Sequence, residues 1–156
     1  MIALIALDID HTLTDDEDDV NLAALTAVGE LQKAGVRIAF ISARPPQGID
    51  AVADHLPSRG YTASYFGGLI QDEQRRDVKR LELDMDLSKA IAAFADRHHI
   101  SVTLNCRDVE FHTQYEERPS FCFSWYVGTA MAVLKRGIPP MLFVTEGRAR
   151  SKALYD

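Results

Sequence analysis

Residues 2–7, Ile-Ala-Leu-Ile-Ala-Leu, form a continuous apolar run closed by Asp8. A run of this kind, without alternation, predicts a strand buried on both faces of a parallel sheet over Ile2–Asp8. Asn21 stands before a segment with apolar residues at 22, 25, 28 and 31. That spacing predicts a capped helix over Leu22–Ala34, stopped by Gly35. Val36–Ile41 is again apolar and β-branched, a second strand. The order strand, helix, strand implies a right-handed parallel crossover. Pro45-Pro46 opens a helix to about His55. Thr62–Phe66 is a third short strand, and Gly67-Gly68 a turn.

The pattern then changes. Arg75–Arg80 is charged and polar, a connection. Asp86 is the expected cap of a helix near Leu87–His98. Ile100–Asn105 and Val109–Thr113 alternate like antiparallel strands about a Cys106-Arg107-Asp108 turn. Ser124–Leu134 is expected as a helix, Met141–Thr145 as a strand and Gly147–Tyr155 as the start of another helix. The expected fold is therefore α/β: a parallel-sheet layer over 1–70, followed by an α+β layer over 71–156.

The chain has 156 residues, 47% hydrophobic and 26% charged, with a formal net charge of -6. That composition fits a globular protein with a real core. The negative balance and the lack of a basic stripe argue against nucleic acid as a partner. Asp15–Asp19 carries much of the charge and reads as a solvated loop. Cys106 and Cys122 have no metal-like spacing, so reduced thiols are expected. No signal peptide or membrane-length apolar run is present, which makes the cytoplasm the expected location and a membrane partner unexpected.

The candidate chemistry sits at the strand ends. Asp8 and Asp10 follow the first strand, where open α/β sheets build their sites. If the strand ran on through Asp10, both carboxylates would point to one side. Gathered carboxylates repel unless a cation joins them. Oxygen ligands suit Mg2+, which leaves room for substrate phosphate. One carboxylate could attack phosphorus and the other move the proton, so phosphoryl transfer is the first chemistry to test. Ser42-Ala43-Arg44 ends the second strand on the same edge. A hydroxyl and backbone amides there would hold phosphoryl oxygens.

Asp8-Ile9-Asp10-His11-Thr12-Leu13-Thr14 resembles the D-x-D-x-T signature of the haloacid dehalogenase superfamily. Ile41-Ser42-Ala43-Arg44 resembles that superfamily's hydrophobic-Ser/Thr motif. Tyr65-Phe66-Gly67-Gly68-Leu69-Ile70 looks like the core-to-cap junction of its sugar-phosphatase-like branch. The resemblance implies a Rossmann-like core over 1–70, incomplete, and an inserted α+β cap over 71–156. It implies Asp8 as nucleophile and Mg2+ ligand, and Asp10 as general acid/base with its carbonyl also on the metal. Ser42 and the Ala43 amide would hold the phosphoryl group, Arg44 would touch substrate or phosphate, and Thr12 would brace the loop. The substrate would be a small phosphorylated metabolite such as a sugar phosphate.

This sequence departs from the family's pattern at three places. His11 stands where the family often has Gly, facing either substrate or solvent. Phe66 stands where the branch often has Asn. The family's later lysine and acidic metal segment are not visible, since Lys152 reads as a residue of the final helix and Lys135 as a helix C-terminal cation. The expectation is thus a chain cut short before the last core motifs, with impaired activity, or one that pairs with a second copy or with the missing segment. A catalytically inactive binding module and a phosphomutase or phosphotransferase are the alternatives. His98-His99 reads as a helix end. Phe121, Phe123, Trp125 and Tyr126 read as packing, with base or sugar stacking and a dimer contact as the other readings.

Overall fold

A computed structural model describes residues 2–15, 19–106, 109–113 and 124–145. It divides into two compact units, Met1–Leu81 and Glu82–Asp156.

In the first unit, strand β1 (Leu4–Asp8) leads through helix α1 (Leu22–Lys33) to strand β2 (Arg37–Ile41), then through helix α2 (Pro46–Ala53) to strand β3 (Tyr61–Ser64). β1 pairs parallel with β2, and β2 parallel with β3. This is the expected parallel core. Asn21 caps α1 as expected, its Oδ1 accepting the Ala23 and Ala24 amides at 3.1 Å each. Leu25 and Val28 of α1 and Ile49, Val52 and Ala53 of α2 are buried with Ile38 and Phe40 of the sheet. Leu22 and Leu31, at the ends of the same stripe, stay exposed.

The chain next turns back. Strands β4 (Leu69–Gln71) and β5 (Asp77–Arg80) add antiparallel to β3, giving the order β1-β2-β3-β4-β5. The connection expected over 75–80 is thus partly a strand. Its four residues are all exposed, and a charged edge strand carries no apolar alternation by which to recognise it. Arg75, at φ 62, ties this hairpin down. Its guanidinium pairs with Asp50 of α2 and donates to the Gly60 carbonyl at 2.8 Å.

In the second unit, helix α3 (Met85–His98) precedes strands β6 (Val102–Cys106), β7 (Val109–Thr113) and β8 (Ser124–Val127), helix α4 (Ala130–Leu134) and strand β9 (Leu142–Thr145). The sheet order is β8-β7-β6-β9. Ala92, Ala95, Leu104, Phe111, Val133 and Leu134 lie in its core. Asp84, not Asp86, caps α3, accepting the Asp86 and Leu87 amides. The expected helix over 124–134 is a strand followed by a short helix. Gly128 and Thr129 separate the two, and the Thr129 hydroxyl caps α4. Cys106 is a free thiol whose burial pushes its pKa up to about 11. Lys135 ends α4 as its C-cap. Cys122, Phe121, Phe123 and the helix expected over 147–155, with Lys152, lie outside the described residues. No described helix is long and apolar enough to cross a membrane.

Candidate functional site

β1 ends at Asp8, which is in register with Ile41 at the end of β2. The strand does not run on through Asp10. Ile9 is fully buried, and its carbonyl accepts the amides of Thr12, Leu13 and Thr14 at 3.1, 2.8 and 3.1 Å. This wraps residues 9–14 into a tight loop over the sheet edge. The buried Thr14 hydroxyl donates to the same carbonyl at 3.3 Å. Thr12, expected to brace the loop, is exposed and bonds the Ile9 carbonyl through its amide, and Thr14 adds a hydroxyl contact to that carbonyl. His11 takes φ 58, the left-handed region in which glycine is the usual residue. Histidine is among the non-glycine residues that adopt this region more often, and here it is exposed.

The loop carries Asp10 back over the end of β2. The Ser42 hydroxyl donates to Asp10 Oδ2 at 3.1 Å. Arg44 donates to Asp10 Oδ1 through Nε at 2.8 Å and Nη2 at 2.6 Å. Ser42 Oγ also accepts the Arg44 amide at 3.0 Å, closing a turn around the exposed Ala43. The Ser42 amide in turn donates to the Ala63 carbonyl of β3 at 3.0 Å. Three of the six expected residues therefore meet through side chains, and Asp8 lies on the same edge by register. Sequence spacing did not reveal that Arg44 binds Asp10.

Partial burial pushes the Asp10 pKa up, but the Arg44 hydrogen bonds and charge and the Ser42 hydroxyl outweigh it. The net effect holds the Asp10 carboxyl below the usual value of 3.8. Asp8 is exposed, and its Oδ1 accepts the Ile9 amide at 2.9 Å.

The described residues hold no group of three or more His, Cys, Asp or Glu suited to a metal ion. The edge offers oxygen donors only: the Asp8 carboxylate, the Asp10 carboxylate and backbone carbonyls. Such a set fits Mg2+, which commonly binds one or two carboxylates and fills its shell with water and phosphate oxygen.

The model of the haloacid dehalogenase-like hydrolases matches residues 5–124. The chain belongs to that family. A search of curated protein sequences finds no match. Among solved structures, a Thermotoga maritima protein superposes with a TM-score of 0.79 at 14% identity, over 99% of this chain and 60% of its own. A Geobacillus kaustophilus protein gives 0.78 at 16% identity, over 99% and 61%. A haloacid dehalogenase-like hydrolase of Bacteroides thetaiotaomicron gives 0.68 at 24% identity, over 75% and 46%. The likeness is one of fold, and this family member spans between 46% and 61% of those three chains.

Proposed function

We propose that the chain carries a Mg2+-dependent site for hydrolysis of small phosphomonoesters through an aspartyl-phosphate. The observation that carries this reading is the edge itself. It brings Asp10 against Ser42 over the carboxyl end of one strand, with Asp8 at the end of the strand paired to it. A sugar phosphate is the leading substrate class, since one of the similar folds is described as a sugar phosphatase of subclass IIB.

An Asp8 carboxylate oxygen would attack phosphorus as the ester P–O bond breaks. Asp10 would give its proton to the departing oxygen, then take one from the water that releases Asp8. In the resting geometry Asp10 is a carboxylate bound by Arg44. Arg44 must therefore leave it, toward substrate, before Asp10 takes up a proton. The Ser42 hydroxyl and the amides after it would hold the phosphoryl oxygens where charge builds up. The Asp8 carboxylate and the Asp10 carbonyl would hold Mg2+, which would neutralise phosphoryl charge.

A binding module without turnover is the second reading, favoured by the engagement of Asp10 with Arg44. The test mixes the chain with 4-nitrophenyl phosphate and Mg2+ and repeats it with Asp8→Asn. Turnover should fall by about three orders of magnitude or more in the variant. Equal rates would remove Asp8 as nucleophile. Calorimetric binding of phosphate with Mg2+ but no turnover would support the module.

A further inference from the structure

The residues after β3 take an unusual path. Tyr65, Phe66 and Gly67 lie at φ 52, 54 and 87, three left-handed positions in a row. Only the last is a glycine. A bulky aromatic residue is disfavoured there because its Cβ crowds the backbone. Tyr65 has a packing reason to accept the conformation, since its ring is buried. Phe66 has none, and at 76% exposure it is the most exposed large apolar residue described.

The turn is fastened to the candidate site. The Phe66 amide donates to the Ser42 carbonyl at 3.2 Å, and the Tyr65 amide to the Arg44 carbonyl at 3.3 Å. The far side is fixed too, with the Gly68 amide on the Tyr65 carbonyl at 3.0 Å and the Leu81 amide on the Gly68 carbonyl at 2.8 Å. A Cβ added at Gly67 would meet nothing within 4 Å. The backbone that carries Phe66 is thus over-determined by bonds to the Ser42–Arg44 turn and to Leu81, while its ring stays exposed. Strain of this kind collects at ligand-contacting positions.

We infer that Phe66 is a substrate-contact residue that selects the alcohol half of the phosphomonoester. The inference rests on the phosphate site proposed above. The Phe66 backbone is bonded to that of Ser42, and its exposed ring presents an apolar face on that side of the turn. The ring favours alcohols that present a flat or apolar face, an aryl group or the C–H face of a sugar ring, over small acyclic polar ones. An aromatic contact of this type is worth about threefold to tenfold in affinity.

The experiment titrates the wild-type chain and Phe66→Asn with methylphosphonate and with phenylphosphonate, both in Mg2+, by calorimetry. Asn is chosen because it accepts a left-handed backbone. In the wild type, phenylphosphonate should bind about threefold to tenfold more tightly than methylphosphonate, and in Phe66→Asn the ratio should fall toward one. The melting temperature of the variant should equal or exceed that of the wild type, as strain is relieved. An equal ratio in both proteins overturns the inference while leaving the phosphate site standing. A fall in ratio together with a fall in melting temperature also overturns it, because Phe66 would then be packing the turn. A wild type that binds neither phosphonate overturns the inference along with the phosphate site beneath it.

Discussion

Asp10 gains its ion pair and hydroxyl contact only in the folded chain, so its acidity there is enhanced relative to the unfolded value. A carboxyl whose folded pKa is depressed adds stability above the unfolded pKa, and that increment is lost as pH falls through the folded one. The stability gap between wild type and Asp10→Asn should therefore be full above about pH 5, and shrink from about pH 4 downward. Urea unfolding of both proteins across this range measures it, and a gap that widens on acidification would refute the ion pair. The positions of Asp8 and Ser42 were legible in the sequence because each follows a recognisable apolar run, whereas that of Asp10 depends on the loop wrapped around the Ile9 carbonyl. The left-handed turn at His11 was legible too, as a side chain in a glycine's usual place. The Arg44 contact to Asp10 was not, since it depends on how a loop without periodicity folds back over the next strand. The bracing hydroxyl of Thr14 was hidden for the same reason.

Gly60 sets the entry to β3. At φ +63 it lies where a Cβ would sit 2.6 Å from the Ile38 carbonyl oxygen of β2. That oxygen is backbone and cannot give way cheaply. Gly35, which ends α1 at φ +85, has nothing within 4 Å of the same added atom. Gly35→Ala should cost about 1–2 kcal/mol from the backbone conformation alone. Gly60→Ala should cost roughly 2–4 kcal/mol, since overpacking is added. Chemical denaturation of the two variants checks the difference. The parallel strands and the cap of α1 were readable because periodicity and capping chemistry agreed there. The strand β8 was not. Ser-Trp-Tyr-Val is too short for a period to show, and although Trp, Tyr and Val favour a strand, the segment leads within two residues into the helix-forming Ala130–Leu134.

Among the described residues of the first unit, one helix layer serves its sheet: α1 and α2 bury Ile38 and Phe40, on a single face. On the other face Leu4 and Ile41 are each 46% exposed. β1 is also an edge strand among the described residues, apolar and uncharged until Asp8. An apolar face and a bare strand edge bind whatever complementary surface reaches them. In solution the 156-residue chain should self-associate in a concentration-dependent way. Leu4→Lys with Ile41→Lys should reduce that association without lowering the melting temperature, as followed by sedimentation velocity. The boundary between units was harder to place from sequence. It falls after Leu81 rather than after residue 70, because the hairpin of β4 and β5 returns to the first sheet. Pairing of that kind follows from backbone hydrogen bonds, which leave little trace in a charged segment.

The proposed chemistry turns on one bond, between an Asp8 oxygen and phosphorus. Incubating the chain with acetyl phosphate and Mg2+, quenching in acid and mapping peptides by mass spectrometry reads that bond directly. One phosphoryl group should appear on Asp8, should vanish without Mg2+, and should be absent from Asp8→Asn. A phosphoryl group on a different residue, or none on Asp8 under conditions where the protein is folded, would contradict the assignment.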